Sequence, residues 1–316
     1  MSQDVNALKI VEPFTVTDSI LDVSGSPPAT NVPENDYPAW SSGTTYAEGD
    51  RVILTSTHKV YESLLSGNTA NDPTVVSSPI YWIEVSPTNR WASLDTSVST
   101  QTVQANNITY TFVPGKAVNS LAALNITNGT QITITMTSAS IGSPNIVYQK
   151  IIDLTAYPLI ADWYNWFFGI RKLPTQDIQT DLPSYTDCVI TFELLGGSDL
   201  ALGTLLFGQA ISFGLGIKYG ARVGIQDYSR KETNEFGDTI LVQRAFAKRA
   251  NFELFITKPE TDILQDYLSS IRAKPVLWIG STDYDSTTLF GFYKNFDVLI
   301  SYPEHSDCEL QIEGLT

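Results

Sequence analysis

The residues most able to perform catalysis or to bind a metal are few in this sequence. The chain of 316 residues contains two histidines, His58 and His305, and two cysteines, Cys188 and Cys308. None of them stands at the spacing of a known metal site, and no nucleophile elbow or phosphate-binding loop occurs. We therefore expect no metal, no cofactor and no enzymatic activity. Two cysteines are too few for a disulfide framework, so we expect both to be reduced thiols.

The charge of the chain restricts its partners. Acidic residues outnumber basic ones by 34 to 19, which gives a net charge of −15. Nucleic acids and anionic membranes are bound by clusters of Lys and Arg, which are lacking here, so we expect no nucleic-acid partner. The most apolar run, residues 200–217, is interrupted by four glycines. Buried strands explain that run better than a membrane span does, and we expect no membrane insertion.

The elements that would position any functional residue are predicted to be mainly strands. Polar and apolar residues alternate at 109–113, 131–137 and 188–194, which is typical of strands with one buried face. One short helix is predicted where Thr257 and Glu260 form a capping box. Apolar residues then recur at helical spacing, at Ile263, Leu264, Tyr267, Leu268 and Ile271. The aromatic segment 162–169 fits either a helical turn or a strand.

Composition divides the chain into three regions. Residues 1–36 mix short apolar runs with Pro and Gly breaks, which predicts an extended N-terminal arm that a neighbouring subunit could order. Residues 37–86 are short strand-length runs between glycines, which predicts a small module. Residues 87–316 are predicted to form a larger β domain. Several aromatic residues of the small module must be buried, because about fifty residues offer little core otherwise.

The small module carries a framework of aromatic and turn residues: Ala39-Trp40, Thr45-Tyr46, Gly49-Asp50-Arg51-Val52, Val60-Tyr61-Glu62, and Asp72-Pro73 before Trp82. This framework resembles the small chitin- and cellulose-binding modules of bacterial glycoside hydrolases. The resemblance implies a three-stranded core that buries Trp40 and Tyr46. In those modules exposed aromatic rings after the second strand stack on sugar, whereas this chain has Ser63-Leu64-Leu65-Ser66 there. The candidate carbohydrate-binding residues are therefore Tyr61, Tyr81 and Trp82, and the alternative for Trp82 is a ring that lies mostly in the core of the module.

The larger region carries several further strings: 87–95, 99–102, 114–122, 203–208, 227–231, 243–249, 274–280 and 312–315. Together they resemble a family of bacteriophage tail or baseplate virion proteins. The opening Asn89-Arg90-Trp91-Ala92 with Asp95 is also similar to the first strands of galactose-binding-like jelly rolls. These resemblances imply a β-sandwich of jelly-roll type. Because the strings are not catalytic motifs, they imply an assembly role and no reaction.

A structural tail protein is therefore the leading hypothesis. It would form a symmetric oligomer, such as a baseplate, tail-tip or collar ring, with other phage tail proteins as partners and host-surface polysaccharide as a further contact. Residues 1–5 lack the layout of a secretory signal, so we expect synthesis in the host bacterial cytoplasm and incorporation into the virion tail. The alternative is a stand-alone carbohydrate-binding protein or an accessory subunit of a polysaccharide-degrading enzyme. Candidate glycosidase carboxylates with apolar surroundings are missing from the sequence, which favours the first hypothesis.

A basic strip is the candidate contact between copies. Arg244, Lys248 and Arg249 alternate with small and aromatic residues in a predicted strand. A solvated face is the ordinary interpretation of such a pattern. In an acidic protein the alternative is that these side chains meet an acidic patch on a neighbouring copy, which would fix the register of the contact.

Overall fold

A computed structural model of the protein describes residues 7–21, 28–75, 80–142, 145–155, 163–168, 173–233, 237–281, 284–300 and 302–315. Its strands are β1 Leu8–Pro13, β2 Thr45–Tyr46, β3 Arg51–Leu54, β4 Lys59–Ser63, β5 Asn68–Thr69, β6 Trp82–Pro87, β7 Thr102–Val103, β8 Asn107–Phe112, β9 Ser120–Ser138, β10 Ile146–Asp153, β11 Gln176–Gln179, β12 Cys188–Phe213, β13 Gly216–Ile217, β14 Arg222–Asp227, β15 Arg230–Thr233, β16 Thr239–Val242, β17 Phe246–Thr257, β18 Val276–Ile279, β19 Thr288–Leu299 and β20 His305–Gly314. Its α-helices are α1 Trp163–Phe168 and α2 Lys258–Ser270.

One large antiparallel sheet organises the fold. Its main path runs β10-β9-β12-β1-β18-β19-β20-β17-β13, and β7, β8, β11 and β14 pair with the long strands of that path. The alternation predicted at 131–137 and 188–194 is present, because every second residue there is buried against the core. The prediction of a mainly β fold with a short helix is confirmed. The large antiparallel sheet is consistent with the predicted β-sandwich.

Three clusters of buried hydrophobic residues lie along this sheet, and we call the two larger ones the first and second cores. The first surrounds the fully buried rings of Tyr110, Phe112 and Phe192, and the second surrounds Phe252 and Trp278. Strand β1 lies between them, because it pairs with β12 on one side and with β18 on the other. The sheet is therefore continuous from one core to the other through β1.

The N-terminal region corrects the prediction of an extended arm over residues 1–36. Leu8, Ile10 and Val11 are fully buried in the sheet, and Val32 is buried in the first core. Thr30 forms a backbone bridge with Tyr110 of β8. The described apolar residues of this region are thus strand and core residues of the chain itself. Residues 1–6 and 22–27 lie outside the described part of the chain.

Helix α2 begins at the predicted position. Thr257 caps it, and the Glu260 carboxylate accepts hydrogen bonds from the Thr257 backbone amide at 3.0 Å and from its hydroxyl at 2.8 Å. Of the predicted apolar face, Leu264, Leu268 and Ile271 are buried and Tyr267 packs partly against the second core, whereas Ile263 is 59% exposed. Only Leu264, Leu268 and Ile271, with part of Tyr267, therefore pack against the second core.

The small module contains the predicted three strands, in the order β3-β4-β6, beside the short pair β2-β5. It contacts the rest of the chain through His58, at the turn between β3 and β4. One ring nitrogen of His58 lies 3.0 Å from Glu34 Oε1, the other lies 2.9 Å from Asp18 Oδ1, and the ring stacks on Trp91 at 4.0 Å. His58 therefore joins the module to residues that flank it in sequence on both sides.

The aromatic segment 162–169 contains the six-residue helix α1, which selects the helical alternative for residues 163–168. Residues 162 and 169 lie outside the described part of the chain. The side chains of Trp163, Tyr164, Phe167 and Phe168 are between 66% and 80% exposed.

Candidate assembly surface

The predicted sugar-binding platform is not a surface. Trp82 is 3% exposed and Tyr61 is 7% exposed, and both belong to the core of the small module with Tyr46 and Val52. The Trp82 ring meets the Tyr46 ring edge-on at 5.1 Å, and its Nε1 donates a hydrogen bond to the Asn71 carbonyl oxygen at 2.8 Å. These three strands have too little core without those rings, so the aromatic residues are used for folding.

The third predicted residue of the platform, Tyr81, does not present a fully exposed ring either. Tyr81 is half-buried and packs against this core, as does Trp40. Among the described residues of the module, the exposed large apolar side chains are instead aliphatic: Leu64, Leu65, Val75, Ile80, Ile83 and Val85. Sugars stack on aromatic rings because those rings present a flat electron-rich face, which aliphatic side chains lack. An aliphatic surface suits a protein contact better.

A long two-stranded ribbon leaves the large sheet at its β17 edge. Residues 222–227 pair with residues 246–251, and residues 230–233 then pair with residues 239–242. Between these two sections the Tyr228 amide donates a hydrogen bond to the Ala245 carbonyl oxygen at 3.3 Å. We call residues 222–233 and 237–246 the ribbon. Its described strands β14, β15 and β16 are exposed at every position.

The ribbon exposes large apolar side chains on both faces. Neighbouring residues on a strand point to opposite faces, so Ile240 and Val242 share one face of β16 and Leu241 occupies the other. Their exposures are 53%, 45% and 69%. Val223, Ile225, Tyr228 and Phe246 are also exposed, between 44% and 62%. An isolated two-stranded hairpin is marginally stable in water, so a surface that covers these residues would stabilise the ribbon.

Charged groups hold the base of the ribbon in place. The Tyr228 hydroxyl donates to Glu313 at 2.9 Å, which raises the pKa of Tyr228, and Lys294 pairs with the same carboxylate at 3.4 Å. Hydrogen bonds from Ser229, together with the Lys231 ammonium at 2.9 Å, hold the pKa of Asp227 well below its usual range. The Tyr228 contact anchors the ribbon to β20, whereas the contacts of Asp227 lie within the ribbon, and both leave its apolar side chains uncovered.

The predicted basic strip is divided by the sheet. Arg244 lies in the ribbon, and Lys248 and Arg249 lie next to each other in β17, so their side chains point to opposite faces. Arg249 lies beside Gly224 with Arg222 and Lys294 around a shallow pocket. Lys248 lies in the wall of a mainly apolar cavity of about 390 Å³, which Phe246 and Phe290 also line. All three are exposed, but they do not form one strip.

Sequence patterns alone missed the apolar residues of the ribbon. The apolar residues of β14 and β16 carry the pattern of a buried face. The available signal is the run Thr239-Ile240-Leu241-Val242, in which consecutive apolar residues replace alternation. Such a run places apolar side chains on both faces of a strand, and both are exposed here.

No family model matches the sequence, and no curated protein is significantly similar to it. Among the helices that the structure describes, none combines the length and hydrophobicity needed to cross a bilayer. Over the same described ranges, His, Cys, Asp and Glu side chains form no group of three or more suited to a metal ion.

Proposed function

We propose that this chain is a structural component of a bacteriophage tail, which acts by assembling with other virion proteins. The observation that carries the proposal is the ribbon, because it extends from a well-packed sheet and exposes apolar residues on both faces. A monomeric protein rarely exposes contiguous apolar surface of this kind, and such surface is typical of protein contacts. The sequence resemblance of residues 87–316 to tail and baseplate proteins points to the same role.

Within this proposal the small module serves a protein contact. Tyr61 and Trp82 are buried, and the exposed apolar residues of the module are aliphatic. A glycan would find few ring faces there, whereas a neighbouring tail protein could bury Ile80 and Ile83. The alternative of a carbohydrate-binding protein would require a ring platform, for which the module offers no support.

Purified particles provide the test. Particles from cells that produce the chain would be banded on a density gradient and digested for mass spectrometry. We expect peptides of this chain to appear at a constant ratio to the major tail proteins across the particle band. A chain that remains entirely in the particle-free supernatant would contradict the proposal.

A ribbon variant makes the test specific. Leu241→Asp places a charge on the exposed tip section of the ribbon, so we expect the variant to fold but to be depleted from particles. Ile151→Asp is the matched control, because Ile151 is a similarly exposed strand residue, at 63%, on β10 at the opposite edge of the sheet. Equal incorporation of the Leu241 variant and the wild-type chain would show that the ribbon is not needed for assembly into particles.

A further inference from the structure

The small module is joined to the rest of the chain through one titratable side chain. Among the described residues, every hydrogen bond and ion pair between residues 37–87 and the rest of the chain is made by His58. The buried core of the module is also separate from the first core. The orientation of the module relative to the large sheet is therefore set mainly by the contacts of this residue.

The backbone of His58 has a conformation that residues other than glycine rarely adopt. Its φ is 57°, in the left-handed region, where His is tolerated better than most side chains. The His58 carbonyl oxygen accepts a hydrogen bond from the Thr88 amide at 2.9 Å. Backbone strain of this kind persists where the surrounding contacts maintain it, and it often marks a functional position. Here the strained residue lies between Glu34, before the module, and Trp91, after it.

Both ring nitrogens of His58 face carboxylates. Nδ1 lies 3.0 Å from Glu34 Oε1, and Nε2 lies 2.9 Å from Asp18 Oδ1. An ionised carboxylate only accepts hydrogen bonds, so both nitrogens must donate, which only the protonated imidazolium can do. The face of the Trp91 indole, stacked at 4.0 Å, also attracts a cation. These contacts therefore favour the charged form of His58.

The two carboxylates differ in their other partners. The Glu34 side chain is 5% exposed, and it also contacts Arg90 Nη1 at 3.3 Å and the Thr88 hydroxyl at 2.9 Å. The Asp18 side chain is 67% exposed, and among the described residues His58 is the cation that it contacts. Three further charged residues neighbour these groups in sequence and bond elsewhere: Asp36, Lys59 and Glu84. Glu34 therefore keeps a cation when His58 is neutral, and Asp18 does not.

We infer that His58 is a pH-dependent clasp, which docks the small module on the large β domain when it is protonated and releases the module as the pH rises. A neutral imidazole keeps one N–H, which the buried Glu34 retains, and then presents a lone pair to the Asp18 carboxylate. Loss of this charge-assisted hydrogen bond should lower the docking equilibrium constant by about 10-fold or more. Because the clasp lies within one chain, it is separate from the proposed assembly function.

The direction of the pH effect follows from the charged form. Imidazole side chains change charge between about pH 5 and 8, where carboxylates remain ionised. The docked form binds the proton that the released form gives up, so docking is favoured at the acid end of this range and lost towards its alkaline end. The linkers keep the released module attached to the large β domain.

A distance between two spin labels on the full chain tests the clasp. Leu65→Cys places one label on the module, and Ile151→Cys places the other on β10, at side chains that are 45% and 63% exposed. The native thiols, Cys188 and Cys308, are buried in the folded chain. Double electron–electron resonance should give a narrow distance distribution at about pH 5.5 and a broad one at about pH 8.5.

Three variants in the labelled chain make the test specific. His58→Asn tolerates the left-handed backbone but cannot become a cation, so we expect a broad distribution at both pH values. Asp18→Asn removes the repulsion and supplies an amide N–H to the free ring nitrogen, so we expect a narrow distribution at both. His305→Asn removes the other, exposed histidine of the chain and should keep the wild-type transition. Far-UV circular dichroism and thermal unfolding at both pH values establish that each variant is folded.

Nuclear magnetic resonance follows the titration itself. The chain has two histidines, so the imidazole signal that remains in His305→Asn belongs to His58. A His58 titration that coincides with the broadening of the distances supports the clasp. A wild-type distribution that is the same at both pH values overturns it, as does a transition that persists in His58→Asn or in Asp18→Asn.

Discussion

Replacement of Trp82 by alanine should unfold the small module while the large sheet remains folded. The Trp82 side chain is 3% exposed and is one of four buried hydrophobic side chains in the core of the module. Loss of a buried Trp costs about 3–5 kcal/mol, and loss of the hydrogen bond to the Asn71 carbonyl oxygen contributes about 1 kcal/mol within that range. A unit of about fifty residues is stabilised by only roughly 3–7 kcal/mol. The loss is therefore comparable to the whole stability of the module.

Hydrogen exchange measured by mass spectrometry separates the module from the sheet. In the Trp82→Ala variant we expect backbone amides of β3 and β4 to lose protection, while those of β9 and β12 keep theirs. Trp82→Phe retains a ring and removes only the indole N–H and some volume, so a smaller loss is expected. Leu65→Ala is the control, because Leu65 is 45% exposed and such surface changes cost about 0.5 kcal/mol or less.

The reasoning fails if Trp82→Ala leaves exchange in β3 and β4 unchanged and costs less than about 1 kcal/mol. That result would mean that the ring is not part of the core. Any glycan binding by the wild-type chain that disappears together with exchange protection would be a consequence of unfolding, and not evidence of stacking.

Three further predictions concern the large sheet. Hydrogen bonds from Ser140 and Ser138 lower the pKa of Asp187. The Asp187 carboxylate therefore stabilises the fold above about pH 4, and this stabilisation is lost as the pH falls below that value. In urea unfolding, Asp187→Asn should reduce the loss of stability that accompanies this fall in pH. At Gly208 an added Cβ would lie 2.2 Å from the Glu12 carbonyl oxygen, so Gly208→Ala should separate β1 from β12 and make the N-terminal strand sensitive to limited proteolysis, whereas an intact strand would refute the close approach. Burial raises the pKa of the Cys308 thiol to about 12, so alkylation at pH 8 should require unfolding, and rapid modification of the native chain would show that the site is open.

Local patterns predicted the elements whose contacts are close in sequence. The helix cap depends on Thr257 and Glu260, three residues apart, and both hydrogen bonds are present. Alternation over residues 188–194 predicted which side chains of β12 are buried, because the period of a strand is a local property. The three strands of the small module were implied by the resemblance of its framework to carbohydrate-binding modules.

Long-range pairing and partner surfaces were not predictable from these patterns. β1 was interpreted as part of an arm because its partners, such as Phe213 and Trp278, lie some 200 residues or more further along the chain. Tyr61, Tyr81 and Trp82 were named as candidate sugar-binding residues, with burial as the alternative for Trp82, because a Trp that fills a core and a Trp that binds sugar have the same local sequence. The apolar residues of the ribbon resemble a buried face for a related reason: the pattern records burial and does not reveal which molecule covers it.

The position of β1 also determines when the sheet can be completed during synthesis. Its six residues are synthesised long before its second neighbour, β18, which begins only at Val276. At about 5–20 residues per second, the interval is on the order of tens of seconds. Throughout that time Leu8, Ile10 and Val11 have no complete set of partners, so the nascent chain exposes a strand able to pair with other chains. The yield of folded protein should therefore depend on how well the cell shields these few residues during translation, as well as on the stability of the finished sheet.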